Sequence, residues 1–194
     1  MGCSAKARSV FEEGLRLPVM RIVRAGEVDE DILHLVALNS RLPEERTLDL
    51  RVQVATNDKG VAATLALVRR MGLARFESAI ADVLDYTERR TRRLIARLGD
   101  GRHSFTTWMD DDGGGDGGEV PIVAIVFREG DTLVIDLEGS APEARGGLNV
   151  AHSALRATVY YCVKTLLDPE LMANSGLARA IDIRAPAGSI VNPR

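Results

Sequence analysis

The segment DLEGSAPEARGGLN, Asp136 to Asn149, holds the residue types in this chain best placed to do chemistry. It leaves a predicted strand, turns on Gly139, Gly146 and Gly147, and enters a predicted helix with Asn149 as its cap. Successive backbone N–H groups in such a turn can face an anion or a polarised carbonyl. Asp136 and Glu138 are two residues apart, so on a strand they share a face and can serve as acid, base or ligand. Asp136, Gly139, Gly147 and Asn149 are therefore the candidate substrate-binding residues; no catalytic residue is assigned. The plainer reading is that the carboxylates face solvent and the glycines only make turns, and it is the commoner outcome for loops of this kind.

Other groups carry weaker signals. Asp110, Asp111, Asp112 and Asp116 in the run DDDGGGDGG offer oxygen ligands to a hard cation, but their spacing is not that of an EF-hand. A solvated hairpin connection is the expectation there, because glycine-rich chain is seldom ordered enough to pre-form a cage. His34, His103 and His152 form no HxH, HxxxH or HxxD arrangement, so no metal site is assigned. There is no GxSxG, GxGxxG or GxxxxGK[ST], hence no sequence signal for a nucleophile elbow or a nucleotide site. Cys3 and Cys162 make neither a disulfide framework nor a zinc site; Cys162, in an apolar stretch, is expected to be a buried thiol. Arg89, Arg90, Arg92, Arg93 and Arg97 line one helix, and Asp82, Asp85 and Glu88 lie within two turns of them. A solvated, salt-bridged face is expected there in preference to an anion site.

The elements that position these residues follow from periodicity. Short extended pieces broken by Gly14, Pro18 and Gly26 occupy the first 26 residues. Asp29 suits a helix N-cap, and the helix it opens stops near Asn39-Ser40. Pro43 suits the first turn of a second helix, whose apolar stripe is Leu50, Val54, Val61, Leu65 and Val68, with Gly72 as its stop. A third helix runs from about Leu73 to Leu98 and buries Phe76, Ile80, Val83, Leu84, Leu94, Ile95 and Leu98. Strands are expected at 103–108, 120–128 and 132–138, the last two as a hairpin, with the 120–128 strand covered on both faces. A helix over 150–167 and a short strand at 181–184 follow. The fold class is α+β: three N-terminal helices, then a mainly antiparallel sheet with one further helix. The organisation is a lead-in (1–26), a helical region (27–99) and an α+β region (100–194), together one partial domain.

Composition bounds the rest. The 194 residues are 45% hydrophobic and 27% charged, the balance of a globular chain. A formal net charge of -3 gives no basic surplus, which argues against nucleic acid as a partner. No apolar run approaches the roughly 20 residues of a membrane span. MGCSAK has Lys6 where a myristoylation signal wants Ser or Thr, and no signal-peptide core follows, so the cytoplasm is the expected compartment.

One resemblance covers almost the whole chain, from about Val10 to Pro193. SVFEEGLRLP, GEVDEDIL, NSRLPEERTLDLRVQVA, LDYTERRTRRLIARLGDGRH, the DDDGGG loop, LVIDLEGSAPEARGGLNVAHSALRATVYY, LLDPELMANSG and APAGSIVNP follow one another as in the hydantoinase B/oxoprolinase family. The resemblance implies a B-type subunit that, with an ATP-using A-type partner, opens cyclic amides such as hydantoins or 5-oxoproline; related pairs carboxylate ketones. Such subunits are well over twice this length, and their His and Asp motifs, of the type GTHLPD and HHxDxGG, do not occur here. The expectation is an internal segment that holds no cofactor itself. A divalent metal belongs to the absent N-terminal part and ATP to the A-type partner. The alternative is a non-catalytic remnant or assembly module, inactive in isolation and inclined to oligomerise or aggregate.

Overall fold

A computed structural model describes residues 7, 9–12, 15–113 and 118–194; Cys3, Gly14 and Asp116 lie outside the described residues. The chain forms two compact units, residues 1–76 and 77–194.

In the first unit, β1 (Val23–Arg24) and β2 (Glu27–Val28) pair antiparallel. The turn between them places Ala25 and Gly26 at φ of 51° and 88°. Two consecutive left-handed residues are what a tight two-residue hairpin of this hand requires. Asp29 then caps α1 (Glu30–Leu38) as expected, its Oδ1 accepting the Ile32 N–H at 3.3 Å. Pro43 opens α2 (Pro43–Met71), and Gly72, at φ 81°, closes it by donating to the Val68 carbonyl.

The expected apolar stripe of α2 is not buried. No residue of this 29-residue helix is buried; Val61 stays 59% exposed and Leu65 46%. The reason is length. In its unit α2 packs against α1, which has nine residues and is about 14 Å long against about 44 Å for α2.

α3 (Leu73–Ile95) leads into the second unit. Its expected inner face holds at Ile95, fully buried, with Leu94 and Leu98 packed beside it, but Ile80 and Val83 are exposed. Thr87 and Thr91 are buried instead. Each hydroxyl donates to the carbonyl four residues back, at 3.0 and 2.8 Å, so what the threonines present to the core is their methyl groups.

The sheet has the order β3 (Arg102–Met109), β4 (Val120–Glu129), β5 (Thr132–Asp136), β6 (Ile181–Arg184). The first three run antiparallel, with Gly130 at φ 63° in the β4–β5 turn. β5 and β6 are parallel, so a crossover must join them. It is supplied by α4 (His152–Leu167) and the one-turn α5 (Ser175–Ala178). The fold is α+β with a mainly antiparallel sheet, as the sequence predicts. One detail differs. Residues 121–128 of β4, expected to be covered on both faces, are only half-buried. Edge strand β3 leaves Phe105 and Trp108 exposed. The core gathers behind β5 instead, where Leu133, Ile135 and Leu137 are buried with Leu155, Val163, Leu177, Ile190 and Val191. The segment after β6 thus also supplies core, through Ile190 and Val191.

Gly176 marks a close approach of α5 to α3: a Cβ there would lie 2.2 Å from the Leu84 carbonyl oxygen. Only glycine lets α5 sit that close to α3.

Candidate functional site

The loop after β5 folds by spending its polar groups on its own backbone. Asp136 ends β5, and its Oδ1 accepts the Glu138 N–H at 3.0 Å, while Oδ2 lies 3.5 Å from Arg102 Nη2. That turn puts Glu138 beyond the strand's end, so the two carboxylates do not share a strand face as predicted. Gly139 follows at φ 90°, which an L side chain adopts only under strain.

Asn149 does not cap α4. The cap position is Ala151, with no side-chain hydrogen bond, and the helix starts two residues later than the sequence reading has it. Asn149 instead pairs with the main chain of Ala144, accepting its N–H at 2.8 Å and donating to its carbonyl at 2.7 Å. Nδ2 also reaches the Gly146 carbonyl at 3.3 Å. The amide closes the 144–149 turn, and Gly147 is half-buried within it. No hydrogen bond or ion pair joins Asp136 to Asn149: each candidate serves a different turn.

Ser140, which the sequence reading passed over, stitches the loop to β4: its Oγ accepts the Val123 N–H at 3.0 Å and lies 3.2 Å from the Val123 carbonyl oxygen. On the other side Ile190 N–H donates to Ala141, Val150 N–H to Ile190, and Glu143 N–H to Gly188. The 137–150 loop is therefore clamped between β4 and the segment 184–192. A serine that answers both backbone groups of one strand residue has no sequence signature, because its partner is seventeen positions away.

The other candidates also resolve into local pairings. Asp111 accepts the Gly113 N–H and Asp112 pairs with Arg145 at 3.2 Å, so this part of the acidic run is tied down as a turn. His34, His103 and His152 are exposed. Among the described residues no three His, Cys, Asp or Glu side chains come together as a metal site. Cys162, expected to be buried, is exposed on α4. The apolar run around it turns Leu155 and Val163 inward and leaves position 162 on the outer face.

A groove of about 460 Å³ lies between α4 and α5, lined by Arg156, Tyr160, Tyr161, Lys164, Asn174 and Leu177 among others. Several of its polar groups already have partners, within the groove or beside it. Arg156 Nε donates to the Tyr160 hydroxyl at 3.0 Å, Lys164 to the Pro169 carbonyl, and Asn174 Nδ2 to Thr87 Oγ1 at 3.0 Å. At the C-terminal end of α4, Arg90 bonds Asp168. The Glu170 N–H and then Arg90 hold the Asp168 carboxyl below its usual range.

The match to known proteins runs the length of this framework: residues 1–194 fit the family described as hydantoinase B/oxoprolinase. The chain belongs to that family. It is 27% identical over 98% of its length to the caprolactamase subunit beta of Pseudomonas jessenii, covering 33% of that protein. It is 22% identical to the 5-oxoprolinase of Saccharomyces cerevisiae over 97% of its length, covering 15% of that protein. The chain therefore spans a third or less of these relatives. Among solved structures, the ATP-dependent caprolactamase from Pseudomonas jessenii superposes with a TM-score of 0.83 at 26% identity, over 97% of this chain and 32% of that one. An acetone carboxylase structure shares the fold at a TM-score of 0.82 and 19% identity, over 94% of this chain and 26% of that one. The fold shared with these structures thus runs through nearly the whole chain, the 137–150 loop included. Among the described residues no helix is long and apolar enough to cross a membrane.

Proposed function

We propose that this chain is the scaffold segment of a B-type subunit in an ATP-dependent enzyme that opens cyclic amides in the cytoplasm. Its carrying observation is the superposition of 97% of the chain on an ATP-dependent caprolactamase. In this reading ATP is bound by an A-type partner and a divalent metal by a separate part of the B-type polypeptide. The present residues hold the frame against which those parts close, and the clamped 137–150 loop forms one wall near the substrate.

The test is reconstitution. The chain is mixed with an A-type subunit and a polypeptide carrying the remaining B-type region, and ADP release is followed with caprolactam, 5-oxoproline or hydantoin. ADP release that requires both a cyclic amide and this chain supports the reading. Equal rates without the chain refute it, and turnover with acetone and bicarbonate instead moves the enzyme to the ketone carboxylases.

A second reading has its own observation. Asp136 and Asn149 are engaged by the loop's own main chain, which fits a module that assembles but performs no chemistry by itself. It expects the isolated chain to release no ADP with any of these substrates.

A further inference from the structure

The arginine-rich helix face does not neutralise itself in the way its sequence leads one to expect. Glu88 pairs with Arg92 at 2.9 Å and with Arg179 at 3.3 Å, and Asp85 also pairs with Arg179. These acids are turned toward the 131–132 turn and Arg179, where Arg92 also meets Asp131, Thr132 and the Arg179 carbonyl. Arg90 is met by Tyr86 and Asp168. The Arg89, Arg93 and Arg97 side chains are left exposed with no hydrogen bond or ion pair among the described residues. They recur every fourth residue, so they stack on one face, and like charges at that spacing destabilise a helix. The helix dipole favours cations in the last turn of α3, which accounts for Arg93 but not for Arg89.

We propose that this face docks an acidic protein segment, a run of Asp and Glu side chains presented by a partner subunit. Tyr86, Arg89, Arg90, Arg93, Leu94 and Arg97 line a groove of about 330 Å³. From Tyr86 to Arg97 it extends about 16 Å along the helix, with its cations about one turn apart. Such an array matches carboxylates spaced along a polypeptide; a phosphate group calls for donors that converge on one point. Tyr86, half exposed, and Leu94, half-buried, add the apolar contact that protein interfaces combine with arginine. The chain's net charge is -3, so the positive face is a local feature and not a bulk surplus of the kind nucleic acid requires.

The probe is a fluorescein-labelled peptide of six glutamates around one leucine, titrated with the 194-residue chain at low salt and read by anisotropy. The test variant is Arg89→Glu/Arg93→Glu/Arg97→Glu. The control, Arg69→Glu/Arg70→Glu/Arg75→Glu, makes the same charge change at exposed arginines elsewhere. The stripe variant is expected to weaken binding about tenfold or more, as three exposed ion pairs should, and to gain affinity for the corresponding lysine peptide. The control is expected to change binding less than about twofold. An Arg→Gln triple at the stripe gives an intermediate loss without charge reversal, and thermal melts establish that all variants fold. Equal weakening by both Glu triples, no binding to the unaltered chain, or tighter binding of tripolyphosphate than of the peptide would each overturn the proposal.

Discussion

α2 and β5 form a contrast within one chain. α2 has every local helix signal, Pro43 at its start, Glu44 and Glu45 in its first turn and Gly72 at its end, yet none of its 29 residues is buried. β5 has five residues and buries three of them, with Leu137 just beyond. The difference is in the cover. β5 lies between β4 and β6, with α4 and the 190–191 segment closing its inner side, whereas α2 has the short α1. Caps and propensity decide that a helix forms, but most helix stability in proteins comes from packing of an apolar face. In this chain that packing is supplied within residues 77–194 and only in part within residues 1–76.

The largest test of the contrast is a pair of truncations. Ile95→Ala empties a site with 0% exposure and should cost about 2–5 kcal/mol in urea unfolding. Leu65→Ala, at a position 46% exposed, should cost less than about 0.5 kcal/mol. Similar losses at both positions would mean that α2 is covered in solution, and the contrast would fail.

A second substitution asks whether the loop is frame or site. Asn149→Ala leaves the Ala144 N–H and carbonyl and the Gly146 carbonyl without their side-chain partner, and should cost about 1–3 kcal/mol. In the reconstituted enzyme, turnover should then fall only as far as folded protein is lost. A variant of unchanged stability that lost turnover would return Asn149 to the substrate-binding role its sequence position suggests.

Much of the frame was legible because its signals are local. Asp29, Pro43 and Gly72 mark helix ends that fall within a residue or two of the observed ones, and Gly130 marks the hairpin turn. The site was less legible because its deciding contacts are distant or depend on hydrogen-bond choice. Asn149 stands beside a helix start and reads as a cap, but the competing partners at Ala144 took its amide. Thr87 and Thr91 read as polar until the i−4 carbonyls satisfy their hydroxyls. The parallel β5–β6 pair has no signal in either strand; only the intervening crossover implies it.

A smaller effect follows from the surface of α2. Val61 and Leu65 lie one turn apart and are both exposed. The double substitution Val61→Gln/Leu65→Gln should reduce self-association in light scattering while leaving the melting temperature within about 2 °C, since neither side chain leaves a packed site. A marked loss of melting temperature would show that this part of α2 is packed in the soluble chain.

The smallest effect separates the units by pH. Glu88 is held below its ordinary value of 4.5 chiefly by the Arg92 hydrogen bond, and Asp168 below 3.8 by the Glu170 N–H and then Arg90. Both lie in residues 77–194. A carboxylate whose pKa is lowered by folding contributes stability that is complete above its unfolded value and is lost as pH falls through the folded one. Stability should therefore be level from neutral pH down to about 5 and decline below the two ordinary values, modestly because these pairs are solvent-screened. Trp108, the single tryptophan, lies on β3 and reports the second unit by fluorescence. Arg90→Met removes the ion pair from Asp168 but keeps the Glu170 N–H, so it should lower the fluorescence midpoint at neutral pH and flatten its acid dependence. If the midpoint of Arg90→Met followed pH as the unaltered chain does, the Arg90–Asp168 pair would be a surface contact with no part in holding residues 77–194 together.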